Sequence, residues 1–145
     1  DRFYGSGELR YYYDALADLD YQTMILLSMG YDLIKDEDTR FTLEAGPAYI
    51  MEKKGGTRDE FVAARLAATV EHRIGQQVLL WEQAEYLPAL NDTSVYLVLA
   101  EVGVESVLSS WLSFRTTVQL RYDSNPAEGK EEADLFMTAA LVARY

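Results

Sequence analysis

The chain has 145 residues, 49% of them hydrophobic, and a formal net charge of −11. That length suits one domain, that apolar content excludes a disordered chain, and the acidic balance argues against nucleic acid, which needs a basic surface. Cysteine is absent, excluding disulfide scaffolds and thiolate metal sites, and no run of about eighteen apolar residues offers a transmembrane helix.

The chain instead alternates with a period of two. In Trp111 to Tyr122 one parity reads Leu112, Phe114, Thr116, Val118, Leu120, Tyr122, and the other Trp111, Ser113, Arg115, Thr117, Gln119, Arg121. Successive strand side chains point to opposite faces, so this is a ribbon with one oily and one polar face. A membrane-spanning barrel strand needs only about nine to eleven residues.

Taken in order, the predicted strands are Phe3–Tyr13, Tyr21–Ile34, Arg40–Glu52 and Glu60–Ile74, then Val78–Leu87, Thr93–Val107, Trp111–Tyr122 and Asp134–Tyr145. Gly, Asn, Asp and Pro fill the interruptions, where turns need them. Connections after strands two, four and six are short. Those after one, three, five and seven tend to be longer, the third running from Lys53 through Gly55-Gly56 to Asp59. Outer-membrane barrels have short periplasmic turns and longer outer loops, so both Asp1 and Tyr145 are expected at the periplasmic end. The pattern predicts an all-β, antiparallel up-and-down transmembrane barrel in one domain, residues 1–145, with about eight strands in this chain. No secretory signal is visible at Asp1-Arg2-Phe3, so the chain reads as a processed form or a fragment.

Parity assigns the charges to an inward face. These are Glu8 and Arg10 on strand one, Asp32 on two, Glu44 on three, and Arg65, Glu71 and Arg73 on four. Glu85 on five, Glu101 and Glu105 on six, Arg115 and Arg121 on seven and Arg144 on eight complete the set. Acids and bases nearly balance, as buried charges that must pair require. A lipid-facing Arg or Lys at the bilayer midplane would cost about 2–4 kcal/mol. The outward face reads Ile25, Leu27, Met29, Leu43, Ala45, Val62, Ala64, Leu66, Ala68, Met137, Ala139 and Leu141.

Several residues break the rule. Met24, Leu26, Leu97 and Leu99 fall on the inward parity and Glu82 on the outward one, while Leu79-Leu80-Trp81 leaves strand five without a clean parity. Pro47 cannot donate to a ladder, and with Gly46 before it a β-bulge is expected that shifts the parity beyond. Tyr11, Tyr12, Tyr13, Tyr21, Tyr31, Tyr49, Tyr86, Tyr96, Trp111, Tyr122 and Tyr145 gather towards strand ends, the pattern of interfacial aromatic girdles.

Three segments, Thr42-Leu43-Glu44-Ala45-Gly46-Pro47-Ala48-Tyr49, Glu85-Tyr86-Leu87-Pro88-Ala89-Leu90-Asn91-Asp92 and Leu120-Arg121-Tyr122-Asp123-Ser124-Asn125-Pro126, carry a resemblance. In order and spacing they resemble the YdiY-like family of salt-induced outer-membrane proteins, which has no established molecular function. The resemblance spans essentially the whole chain. It implies an outer-membrane location, and further strands on the N-terminal side that would bring a full member to about twelve. The terminal Tyr145 is similar to the signal that barrel-assembly machinery recognises.

Catalytic chemistry finds little purchase. The single histidine, His72, falls on the outward parity, and no Ser, His and Asp set assembles. Glu101 and Glu105 share a face with Arg115 and Arg121 on the next strand, which reads as a salt-bridge network before an acid–base pair. No cofactor or metal motif is present. The acidic loop from Asp123 to Asp134 reads as a solvated loop before a Ca²⁺ or Mg²⁺ site.

The first functional expectation is a narrow pore or small-solute channel with a charged Arg/Glu lumen. The alternative is a plugged structural or interaction barrel that binds a partner protein or lipopolysaccharide. An outer-membrane enzyme ranks third. A soluble lipocalin-like barrel ranks behind the membrane reading, because it would put the oily face inside. Expected partners are outer-membrane lipid and lipopolysaccharide, the assembly machinery during biogenesis, and a further protein.

Overall fold

A computed structural model describes residues 2–143. Among these residues eight antiparallel strands form one curled sheet in sequential order, without helices. They are β1 (Phe3–Asp14), β2 (Leu19–Lys35), β3 (Thr39–Lys54), β4 (Thr57–Ile74), β5 (Val78–Pro88), β6 (Tyr96–Val107), β7 (Leu112–Asp123) and β8 (Ala133–Ala143). Each strand pairs with its chain neighbours, the meander that short connections dictate. The sheet is a half-barrel. Among the described residues β1 and β8 are its two edges and do not pair with each other.

The two faces differ as the alternation requires. On the outer face Leu27 (57% exposed), Leu66 (51%), Met137 (74%) and Leu141 (67%) are bare, whereas the inner-face Arg65 (3%) and Glu85 (3%) are covered. An oily exterior around a polar interior inverts the order of a soluble barrel.

Three local expectations are corrected. No bulge forms at Gly46-Pro47: β2–β3 pairs Leu26 with Ala48 and, past a gap in the ladder, Met29 with Ala45, in unchanged register. The β3–β4 ladder runs unshifted through the same site, with Pro47 opposite Ala64. Backbone proximity is the reason, since a Cβ on Gly46 would lie only 1.9 Å from the Leu27 carbonyl oxygen. The ladder irregularities that do occur lie nearer the strand ends, between Tyr12 and Asp14, Leu19 and Tyr21, and Asp32 and Ile34.

The connection after the third strand is not long either. Lys54 pairs with Thr57, leaving a two-residue Gly55-Gly56 turn at φ +55° and +78°. Both positive values suit glycine, as the favoured hairpin turn demands. The long connections are therefore 89–95 and 124–132, at the same end of the sheet, the loop end. Strand five also acquires a parity, with Trp81 turned inward over Gly103, where an added Cβ would meet the indole at 2.1 Å.

Candidate functional site: the barrel interior

The inner face carries an apolar layer at the loop end and an ionic layer next to it. At the loop end lies an apolar cluster of Met24, Leu26, Ala48, Ile50, Phe61, Ala63, Leu87, Ala89 and Leu97, with Tyr12, Val95 and Leu99 packed against it. The breaks in alternation thus have a structural use. Met24, Leu26 and Leu97 turn inward because they meet one another there.

The next layer is ionic. Arg65 on β4 donates from Nη1 to Glu44 Oε2 at 2.7 Å and to Ser28 Oγ at 2.8 Å, and from Nη2 to Glu85 Oε1 at 3.1 Å. Arg10 reaches from β1 to the same Glu85 at 2.7 Å while holding Glu8 at 2.6 Å. Glu8, Arg10, Glu44, Arg65 and Glu85 are thereby one network. Its charges have hydrogen-bonding partners, which buried ionic groups need.

The remaining assignments divide. Glu105 pairs with Arg115 at 2.6 Å, accepts from Ser113 Oγ at 2.7 Å, and leaves Arg115 stacked 5.3 Å from the Trp81 ring centre. The expected four-member network with Glu101 and Arg121 does not form. Glu101 accepts from Trp81 and Gln119, two neutral donors. Arg121 donates to Gln22 Oε1 at 2.6 Å and lies over Tyr12 at 4.8 Å. Gln119 stands directly opposite Glu101 in the β6–β7 register, whereas Arg121 reaches Gln22 on β2 only because the sheet curls.

Asp32 binds Arg40 at 2.8 Å, Lys35 at 3.2 Å and Thr42 Oγ1 at 2.9 Å. Glu71 is half-buried and Arg73 exposed near the far end of β4, and neither makes an ion pair among the described residues. Arg144 and Tyr145 lie outside the described residues.

Sequence reasoning missed Arg40, Gln22 and Glu52. Gln22, fully buried, donates to Glu52, itself 4% exposed. Gln22 shares its strand's parity with Met24, and Glu52 with Glu44, so extending the alternation to the strand ends finds both.

A cavity of about 810 Å³ opens beside the ionic layer, lined by Arg10, Glu85, Glu101, Arg121, Tyr12 and Phe136 among others. Tyr12, grouped above with the girdle aromatics, belongs to this interior. Outer-face aromatics do stand at both ends. Tyr86, Tyr96 and Tyr122 form a chain at the loop end with ring centres 5.6 and 5.8 Å apart, and Phe3 meets Tyr31 at 4.6 Å at the other. His72, on the outer parity, has Nδ1 2.9 Å from Thr39 Oγ1. In the 89–95 loop, the Ser94 hydroxyl and backbone N–H hold the Asp92 carboxyl below its ordinary range. Among the described residues no three His, Cys, Asp or Glu side chains are grouped to hold a metal ion.

A curled antiparallel meander with an apolar exterior and an ion-paired interior defines an outer-membrane-type β-barrel protein. The chain matches, over residues 1–145, the family described as "Protein of unknown function, DUF481", and it belongs to that family. This is the YdiY-like outer-membrane family that the three segments resemble. No curated protein and no solved structure matches the chain.

Proposed function

We propose that the chain works in the bacterial outer membrane as a plugged structural or interaction barrel. One observation carries this reading: the apolar layer at the loop end, where Met24, Ile50 and Leu87 have no exposure and Phe61 only 9%. Apolar side chains packed against one another across β2 to β6 fill the loop end of the inner face, where a solute would otherwise pass. The ion pairs below that layer tie β1, β3, β4 and β5 together, which suits a rigid scaffold. Lipid and lipopolysaccharide surround the outer face, and the loop end meets a partner protein. Assembly machinery inserts the chain during biogenesis, and no catalytic role is assigned.

A narrow pore with a charged lumen is the second reading. The cavity beside Arg10, Glu85 and Arg121 favours it, because it would accommodate a small polar solute. Planar-bilayer recording separates the two. The plugged barrel gives no steady conductance, and the double variant Phe61→Ala with Leu87→Ala, which empties the apolar layer, gives resolved current steps. Steady conductance from the unaltered protein overturns the plugged reading.

A further inference from the structure

The β7–β8 connection, residues 124–132, is exposed over most of its length but is anchored at its first half, where Ala127 is buried. It folds across to the β3–β4 hairpin, whose strand β3 lies four places from β7 in the sheet order. Lys54 Nζ, at the end of β3, donates to Asp123 Oδ2 at 2.7 Å, to the Asn125 backbone oxygen at 2.7 Å and to Glu52 Oε1 at 2.9 Å. Those contacts span 69 and 71 residues for Asp123 and Asn125. Such ties hold against loop-closure entropy only if the loop has a seat.

That seat is visible. Ala127 is 7% exposed although it lies in an acidic loop between Pro126 and Glu128. It rests on the hairpin, where a Cβ added to Gly55 would come 3.6 Å from its own Cβ. The loop's entry is pinned to β6, with the Ser124 N–H donating to the Tyr96 carbonyl at 3.0 Å and the Tyr96 N–H to Ser124 Oγ at 2.7 Å.

Beneath the loop is a gap of only about 30 Å³, lined by Asp14, Leu19, Lys54, Arg121 and Ala127 among others. Arg121 and Asp14 also line the cavity of about 810 Å³. A relay joins cover to interior: Lys54 holds Glu52, Glu52 accepts from Gln22, and Gln22 accepts from Arg121.

We infer that residues 124–132 form a lid over the loop-end mouth, latched by Lys54, and that the way into the interior runs under it past Arg121. The latch builds on the plugged reading, in which the loop end is the guarded end of the barrel. Opening it exposes Arg121 to the outside without disturbing the ladders. The latch also joins a cation to two carboxylates in a mouth where Asp18, Asp59 and Glu128 add further negative charge, so losing the ammonium repels the loop.

The absence of cysteine makes the test direct. Ala127→Cys and Glu128→Cys are introduced singly into the whole chain, folded in vesicles, and labelled with a membrane-impermeant maleimide. With Lys54 present, the cysteine at 127 should react about tenfold more slowly than its neighbour at 128, as a locally protected site does. Lys54→Met should bring the two rates together. Equal rates with Lys54 present, or protection unchanged by Lys54→Met, overturn the latch. Retention of the heat-modifiable gel band is required of each variant, and Asp123→Ala, which removes one acceptor of three, replaces Lys54→Met if that band is lost. Labelling and conductance fail separately. A conducting barrel with slow labelling at 127 removes the plugged reading and keeps the latch.

Discussion

Arg65 has five N–H donors, and the interior uses Nε, Nη1 and Nη2 on three partners: Glu85, Glu44 and Ser28. Truncation would leave the buried Glu85 with Arg10 as its only cationic partner and the half-buried Glu44 with none, its contact to the Ser6 hydroxyl remaining. Breaking a buried pair by removing one partner costs about 3–5 kcal/mol. Arg65→Met should therefore lower the urea midpoint of the vesicle-folded protein by more than Arg10→Met, because Arg10's second partner, Glu8, is about half exposed and keeps its hydration. Equal midpoints for the two variants would show that Arg65 is not the keystone. Parity placed these residues on one face, but it could not say that Arg10 meets Glu85 across 75 residues. Pairing depends on how tightly the sheet curls, and curl is set by all eight strands together.

Gly46-Pro47 shows what is decided strand by strand. Read alone, the pair looks like a break in a ladder. In the sheet, Pro47 interrupts only the β2 side while β4 pairs through it, and Gly46 admits the Leu27 carbonyl where any side chain would collide. Gly46→Ala should accordingly prevent recovery of the heat-modifiable folded band. Gly7→Ala, whose Cβ would meet Leu27 Cδ2 at an ordinary 3.5 Å, should fold normally. A folded Gly46→Ala protein would mean that the two strands separate at little cost. The Gly55-Gly56 turn has the same lesson in reverse. Glycines that look like a long flexible loop serve a tight hairpin, because both flanking strands continue pairing up to them.

For the molecule as a whole, sidedness is the testable property. Leu66 is outward and Gln119 inward on the same curled sheet. Leu66→Arg should reduce the folded fraction in vesicles by a free energy of about 2–4 kcal/mol if the site is near the bilayer midplane. Gln119→Arg, beside Glu101 on the inner face, should be tolerated. If both substitutions are equally harmless, and the protein is monodisperse in buffer without detergent, the oily face does not meet lipid. The open seam between β1 and β8 belongs to this scale as well, since exposed sheet edges do not occur in hydrocarbon.

The alternation by itself determined the strands and which face is greasy, because side-chain direction on a strand has a fixed period that no partner alters, and the short connections determined their antiparallel order. It also marked Met24, Leu26 and Leu97 as exceptions without giving the reason. Only the curled sheet showed that these residues close the interior at one end and that Arg121 takes Gln22 rather than Glu101. It alone showed Lys54 holding a loop from the opposite wall. Each of these contacts joins strands that are not neighbours, so its geometry comes from curvature, a property of the sheet that no single strand encodes.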